Sequence, residues 1–565
     1  MAAVVQHLNH DLNLQKDVAA VTAAEVSSEK QHLAAIPEQA SVKINALQIN
    51  GFINPTTNVA NFLNIPYARI PARFCEASLI NPRKEAGIID ATKYGPCCPQ
   101  PFDVIHDLTG HLYPKVIDAS NSAEFTCLSI NVYAPPSVLT SQERLPVLVW
   151  IHGGAFTYGD ASDEYDGNYI VQHSVSIGKP IIVASLNYRV GPYGFLTSKE
   201  IKDDARSRGE NGYANLGFHD QRLGLQWIQQ NIGFFGGDGY ELTAAGESAG
   251  AMSILMHIRS NFPAFQRAFI LSAASFKPVP LSVAQDRFDA LIAKMGIAPT
   301  APAGDKLAAL RSLTCEELNR LNGPGVSFPI YDSDFSPELE AGSFLESNTP
   351  FPSWLKGVVI GSTSEEAALF LLKGLTGLEA VSLVKAVYGD ADFTRELLKK
   401  YEFVEDNVPG SGTDSLIRLT TDGAFANVAN AIASDHSEIP VSLYSFEQKD
   451  PFEQSLWKGR AFHSLGNSML FRLPTVAGPN VDLGTRITSD KFSDAVISLI
   501  SGQQPWESYG QGQDHTMMVF DGERSGIVKA EKPRWTDLTQ TQERWELFKT
   551  NGLSLISQNI VAANS

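Results

Sequence analysis

A serine flanked at two-residue spacing by glycines constrains the fold of this chain more than any other feature of the sequence. The segment follows the apolar run 242–245, precedes a run typical of a helix, and consists of Gly246, Glu247, Ser248, Ala249 and Gly250. A sharp turn from a strand into a helix leaves almost no room for side chains two residues before and after its serine. Such a turn lifts the Ser248 hydroxyl out of the sheet, to a helix N-terminus that stabilises negative charge. Five-residue patterns also arise by chance, so this one indicates a nucleophile only together with further residues.

Continuous apolar runs predict the rest of the architecture. Six runs are apolar along most of their length, as in strands buried on both faces, namely 145–152, 181–187, 242–245, 268–273, 357–362 and 441–447. Helical patterns lie between many of them, for example at 221–232, where Leu223, Trp227 and Ile228 form one apolar stripe. This alternation predicts an α/β fold with a large, mostly parallel sheet flanked by helices. In such sheets the functional site lies at the carboxyl ends of the strands.

A second glycine-rich turn follows the predicted strand at 145–151. It consists of His152, Gly153, Gly154, Ala155 and Phe156. A strand that ends in small residues exposes backbone N–H groups, and these can bind an oxyanion together with the N–H of Ala249. The alternative is a closely packed glycine turn without chemistry. We favour the oxyanion site because the turn follows a buried strand and precedes the serine in the chain.

The charge of the chain excludes two classes of partner. Its 565 residues carry a formal net charge of −18. A surface this acidic repels nucleic-acid phosphates and anionic lipid headgroups, so we expect neither a nucleic acid nor a membrane as partner. We expect no metal either, because the cysteine spacing is not of the metal-binding type and the acidic segment 160–168 lacks the ligand order of a calcium loop.

The N-terminal region and the cysteine content predict a cytoplasmic protein. The first 45 residues lack the apolar core of a signal peptide, and no stretch has the apolar length of a membrane helix. No Asn-x-Ser/Thr acceptor with a permitted middle residue occurs, and the five cysteines are few. We assign residues 1–45 to an N-terminal extension and 46–565 to a single domain, because the loop segments 298–304 and 409–412 separate no regions of different composition.

From about residue 63 to the last helices, the chain resembles the type-B carboxylesterases, a group that includes cholinesterases, fungal lipases and bacterial p-nitrobenzyl esterases. The matching segments are 64–68, 73–74, 95–100, 127–133, 187–191, 220–222, 231–238 and 246–251. The resemblance implies an α/β-hydrolase fold with long cap and gorge loops. It also implies a serine esterase without a cofactor, which acts through an acyl-enzyme on a small to medium hydrophobic ester.

A serine nucleophile needs a histidine base and a carboxylate that orients the base, in the chain order serine, acid, histidine. His463 lies in a segment, 461–471, that resembles the histidine loop of the family, whereas His436 and His515 are expected to be structural or solvated. Glu366 stands at the spacing the family uses for the acid. Since Ala367 replaces the glycine that usually follows, Glu365 stays open as the alternative.

The resemblance also assigns supporting roles. Gly154, Ala155 and Ala249 would supply the oxyanion N–H groups, while Gly153 shapes the turn. Cys98 and Cys127 match a disulfide of the family, and the neighbouring Cys97 could compete for that pairing. Cys75 and Cys315 are expected to be buried thiols. Gly466 stands where many relatives carry an acidic residue, which changes the pocket wall without harming the catalytic residues.

Three further expectations concern the substrate and the rival functions. The segment between Cys98 and Cys127 contains no tryptophan to hold a quaternary ammonium, which argues against a cholinesterase. An acyltransferase that uses the same residues stays open as the alternative function, and a non-catalytic binding protein is less expected because the catalytic residues are all present. We expect an apolar pocket with Phe156 near its mouth. The sequence leaves the oligomeric state open.

Overall fold

The structure is a computed structural model that describes residues 38–101, 109–113, 121–275, 278–322, 328–335, 351–370, 374–435, 438–509 and 515–529, together with Arg544. His436 lies outside these residues. The described residues form 15 strands, of which 13 build one large sheet and two pair in a small separate sheet. The strands are β1 (Gln39–Ile44), β2 (Leu47–Ile53), β3 (Ala60–Pro66), β4 (Ala68–Arg69), β5 (Ser78–Leu79), β6 (Gly87–Asp90), β7 (Ser129–Ala134), β8 (Leu145–Ile151), β9 (Ile182–Leu186), β10 (Gly237–Glu247), β11 (Arg267–Leu271), β12 (Gly357–Thr363), β13 (Val441–Phe446), β14 (Thr516–Phe520) and β15 (Gly526–Lys529).

Helices connect most of the parallel strands. They are α1 (Asn168–Ser176), α2 (Gly191–Phe195), α3 (Lys199–Ser207), α4 (Leu216–Asn231), α5 (Ala249–Arg259), α6 (Leu281–Lys294), α7 (Ala303–Ser312), α8 (Cys315–Asn322), α9 (Gly377–Tyr388), α10 (Asp392–Lys400), α11 (Thr413–Thr421), α12 (Asn427–Asp435), α13 (Leu465–Leu470), α14 (Pro474–Ala477) and α15 (Leu483–Ile500). A π-helical turn, Asp422–Ala426, joins α11 to α12. Of the helices that the structure describes, none is long and apolar enough to cross a membrane.

The sheet is parallel in its centre and antiparallel at both edges. Its order is β1-β2-β3-β7-β9-β8-β10-β11-β12-β13-β14-β15, with β6 beside β2. All neighbours from β9 to β14 are parallel, whereas β1, β2, β3 and β7 pair antiparallel, as do β7 with β9 and β14 with β15. The six predicted apolar runs all form strands of the parallel part. The α/β fold class is therefore confirmed, with a mixed sheet.

The predicted start of the domain at residue 46 is too late in the chain. Strand β1, which lies inside the range 1–45, pairs with β2 from Gln39 to Ile44. Its residues alternate between exposed and buried positions. An edge strand with one solvated face has too few apolar residues to form a continuous run, so the apolar pattern did not predict it.

Apolar side chains from both faces of the central strands form the core. In β8, Val147 and Val149 pack into a cluster on one face, while Leu148 and Trp150 pack into a cluster on the other. This alternation follows from the two-residue period of a strand and accounts for the continuous apolar run. The buried core fixes the carboxyl ends of β8, β10 and β12, where the residues singled out from the sequence lie.

Candidate active site

The nucleophile turn has the strained geometry that its glycines permit. Ser248 stands between β10 and α5 with φ 55° and ψ −118°, a backbone conformation that side chains disfavour. A Cβ atom at Gly246 would lie 2.7 Å from the carbonyl oxygen of Ile151, and one at Gly250 would lie 2.0 Å from it. Both positions therefore require glycine, and the close approach of β8 holds Ser248 at the carboxyl end of the sheet.

His463 is buried, with a carboxylate at each ring nitrogen and two phenylalanine rings packed against the imidazole. Its Nδ1 is hydrogen-bonded to the Glu366 carboxylate, and its Nε2 lies 2.9 Å from Oε1 of Glu247. Phe370 and Phe425 pack against the ring, with centroid distances of 5.4 and 5.2 Å. Phe425 belongs to the π-helical turn, a distortion that often marks functional sites. The imidazole is thus held in one plane between two carboxylates.

The two carboxylates control the protonation of His463. Burial lowers the pKa of His463, but the charges of Glu247 and Glu366 outweigh this effect and raise the pKa from 6.5 to about 10. No hydrogen bond joins Nε2 to the Ser248 hydroxyl among the described residues, where Nε2 faces Glu247 instead. Catalytic hydrogen bonds are often long or misaligned before substrate binds, so this arrangement does not exclude a Ser248–His463 pair.

The two candidate acids have different surroundings. Glu366 is fully buried, accepts a 2.6 Å hydrogen bond from the Thr363 N–H and contacts His463. Glu365 points away from the imidazole and binds the Arg460 guanidinium at 2.7 Å and the Ala461 N–H at 2.9 Å. Glu365 therefore anchors the loop that carries His463, and of the two only Glu366 is placed to orient the ring.

The second glycine turn, residues 153–155, lies beside Ser248. Gly154 and Ala155 have φ values of 94° and 54°. Within the described residues, their N–H groups form no hydrogen bond with other parts of the chain. Ala249 is the first residue of α5, where N–H groups lack partners inside the helix. A Cβ at Gly153 would lie 2.8 Å from the carbonyl oxygen of Glu247, so this glycine lets the turn approach the nucleophile.

These residues line one cavity. It has a volume of about 540 Å³ including its open mouth, and Ser248, His463 and residues 153–155 form part of its wall. Leu369 and Phe370 supply an apolar wall, while Tyr113, Glu164 and Tyr165 supply a polar one. Burial raises the pKa of Glu164 to about 8. The described wall therefore has an apolar part and a polar part.

The predicted position of Phe156 is wrong. Its side chain is fully buried and packs against Phe195, Phe218 and Phe328, with centroid distances of 5.2, 5.6 and 5.6 Å. The positive φ of 60° at this residue turns the side chain away from the described wall of the cavity and into the core. Phe156 therefore anchors the second glycine turn in the core.

The cysteines and the other candidate histidine lie outside the cavity. Cys98 and Cys127 are joined by a disulfide, as the resemblance implied. Cys75 is buried as expected, but Cys315 is partly exposed, and its sulfur contacts the Arg73–Glu124 ion pair. His515 is exposed just before β14. In the part of the chain that the structure describes, no group of His, Cys, Asp or Glu is arranged to hold a metal ion.

Sequence reasoning missed three functional neighbours of His463. Glu247 was expected only as part of the turn, whereas its carboxylate faces the base. Ser464 donates a 2.9 Å hydrogen bond to the same carboxylate oxygen. Phe425 covers one face of the imidazole. Only the position of Ser464 beside His463 gave a signal in the sequence, because the other contacts depend on segments that are distant in the chain.

Comparisons with known proteins show the family and the fold of this chain. The profile of the carboxylesterase family matches residues 38–553. The chain is 32% identical to the para-nitrobenzyl esterase of Bacillus subtilis (strain 168), over 89% of this chain and 98% of that protein. It is 33% identical to lipase 2 of Diutina rugosa, over 68% of this chain and 72% of that protein. A solved p-nitrobenzyl esterase structure superposes with a TM-score of 0.69 at 25% identity and covers 90% of this chain and 99% of that one. The chain therefore belongs to the carboxylesterase family, has the α/β-hydrolase fold and is a carboxylesterase.

Proposed function

We propose that this carboxylesterase hydrolyses small to medium hydrophobic esters through an acyl-enzyme on Ser248, with His463 as base and Glu366 as the acid that orients it. One observation carries the proposal. A strained serine, a histidine paired with a buried carboxylate, and two backbone N–H groups at positive φ all line one cavity. Each of the three parts occurs in proteins without catalysis, but together they form the apparatus of acyl transfer.

The first half of the reaction acylates the serine. The Ser248 oxygen attacks the ester carbonyl carbon while its proton passes to Nε2 of His463. Negative charge develops on the carbonyl oxygen, and the N–H groups of Gly154, Ala155 and Ala249 stabilise it. The tetrahedral intermediate then collapses, the bond to the alcohol oxygen breaks, and His463 returns the proton to the leaving alkoxide.

The second half releases the acid. A water molecule gives its proton to Nε2 of His463 and attacks the acyl carbon. The same N–H groups stabilise the second intermediate, and Ser248 leaves with the proton from His463. Glu366 stays bound to Nδ1 throughout and stabilises the imidazolium that forms twice in each cycle.

The apolar part of the cavity supports the expected substrate class. Leu369 and Phe370 lie beside Ser248 and His463, where they can contact an acyl chain or an alkyl alcohol. Relatives with 32% and 33% identity are named as a para-nitrobenzyl esterase and a lipase. Both names describe carboxylic-ester chemistry, which is consistent with a small to medium ester for this chain.

Hydrolysis of 4-nitrophenyl butyrate by the parent protein and by three variants tests the proposal. Ser248→Ala and His463→Ala should each lower kcat by about three orders of magnitude or more. The melting temperature of each variant should stay close to that of the parent, which shows that the variant is folded. Ser312→Ala, at the exposed end of α7, serves as the matched control and should behave as the parent. Parental rates in folded Ser248→Ala would overturn the proposal.

A further inference from the structure

Ser464 has an unusual backbone for a residue with a side chain. It directly follows His463 and has φ 73°, in the left-handed region that favours glycine. Its side chain lines the cavity together with Ser248 and His463. A serine in this conformation costs more conformational energy than a glycine would.

The hydroxyl of Ser464 binds the carboxylate that faces the base. It donates a 2.9 Å hydrogen bond to Oε1 of Glu247, and the same oxygen lies 2.9 Å from Nε2 of His463. Glu247 is 3% exposed, so few water molecules compete for that oxygen. One carboxylate oxygen thus accepts the hydrogen bond from Ser464 and faces Nε2 of His463. The two contacts come from adjacent residues of one loop.

The other charged and titratable groups around His463 are fixed by separate elements. Glu366 holds Nδ1 from the turn after β12. Glu164 and Tyr165, which line the same cavity, interact with the charge of Glu247, and Tyr444 of β13 interacts with the charges of Glu247 and Glu366. Phe370 and Phe425, which carry no charge, cover the ring. The Ser464 hydroxyl holds the Glu247 carboxylate from the same loop that carries His463.

We propose that Ser464 is a positioning residue, whose hydroxyl holds the Glu247 carboxylate beside Nε2 of His463 and so sets the pH at which this histidine can activate Ser248. The inference rests on the proposed function. Before substrate binds, Glu247 stabilises the protonated imidazole, and the imidazole must lose that proton before it can accept one from Ser248. During the reaction the same carboxylate stabilises the imidazolium that forms after proton transfer. Ser464 acts only through Glu247 and touches no reacting atom.

The pH dependence of kcat/KM tests this role, because its acid limb reports the ionisation of the base in the free enzyme. We would follow ethyl butyrate hydrolysis from about pH 6 to 11 by titration of the released acid. Glu247→Gln should move the acid limb to lower pH by about one unit or more, as expected for the loss of a nearby buried charge. Ser464→Gly should move it in the same direction by a smaller amount, because the carboxylate is no longer held beside Nε2.

Two further variants separate the hydroxyl from the backbone. Ser464→Ala also lacks the hydroxyl but keeps the strain, so its acid limb should match that of Ser464→Gly while its melting temperature is lower. In the Glu247→Gln background, Ser464→Gly should leave the acid limb where Glu247→Gln alone puts it. An unchanged acid limb in Ser464→Gly, or an equal shift with and without Glu247, would overturn the inference. Parental hydrolysis by folded Ser248→Ala would instead overturn the proposed function.

Discussion

Replacement of Glu366 or Glu365 by glutamine tests which of the two carboxylates orients His463. Glu366 is fully buried and binds Nδ1 of His463, whereas Glu365 binds Arg460 and the Ala461 N–H. The two substitutions remove the same charge from positions one residue apart. The structure therefore predicts very different results from nearly identical changes.

The expected magnitudes follow from the contacts. In Glu366→Gln, the Thr363 N–H occupies the side-chain oxygen, and the amide nitrogen donates to Nδ1. The proton of the neutral ring then moves to Nε2, which can no longer accept one from Ser248, and this tautomer change lowers kcat by about 10³- to 10⁴-fold. Glu365→Gln keeps an acceptor for the Ala461 N–H but loses the ion pair with Arg460, whose side chain is 34% exposed. Such a pair contributes at most about 1 kcal/mol, so kcat should change by less than about tenfold.

The assay is 4-nitrophenyl butyrate hydrolysis with both variants at equal concentrations of folded protein, checked by circular dichroism. Imidazole nitrogen resonances of His463, recorded above about pH 10 where the parent ring is neutral, give a second readout, because the proton should lie on Nε2 in Glu366→Gln and stay on Nδ1 in Glu365→Gln. A large loss of kcat in Glu365→Gln together with near-parental activity in Glu366→Gln would refute the assignment of the acid.

Three further substitutions test the walls of the site. Burial raises the pKa of Glu164 to about 8, so the folded chain keeps a proton that the unfolded chain loses near pH 4.5, and stability declines between those pH values. Glu164→Gln should therefore be more stable than the parent by about 1 kcal/mol or more at pH 9 but not at pH 4, measured by urea unfolding at both pH values. Phe425→Leu removes ring contact from His463 and should lower kcat by about tenfold with little change in KM, which initial rates against substrate concentration will show. Gly153→Ala would place a methyl group 3.2 Å from the Ser248 Cβ and should lower kcat by about a hundredfold, and parental kinetics would contradict this reading of the turn.

The parts of the site with local causes could be predicted from the sequence. Gly246 and Gly250 stand where a side chain would collide with β8, and this requirement is visible as the spacing around Ser248. The six continuous apolar runs became the central strands because burial on both faces demands apolar residues at every position. Strands β1 and β2 were not predicted, since a strand with one solvated face carries only half of that signal.

The contacts between distant segments could not be predicted in the same way. Glu366 and His463 are 97 residues apart, and spacing alone left Glu365 open as the acid. The pairing of Glu247 with Nε2 depends on how the loop before α13 packs against the nucleophile turn, which no sequence pattern records. Phe156 was misplaced because the direction of a side chain beside a glycine turn depends on the sign of φ, and here φ is 60°.

Covalent trapping of the acyl group tests the central claim most directly. The parent protein and Ser248→Ala would be mixed with 4-nitrophenyl butyrate, quenched in acid within the first turnovers, and digested for peptide mass spectrometry. The account predicts a butyryl adduct on the peptide that contains residues 246–250, assigned to Ser248 by fragmentation, and no adduct in the variant. Turnover by the parent without an adduct at Ser248, or an equal adduct at another residue in Ser248→Ala, would contradict it.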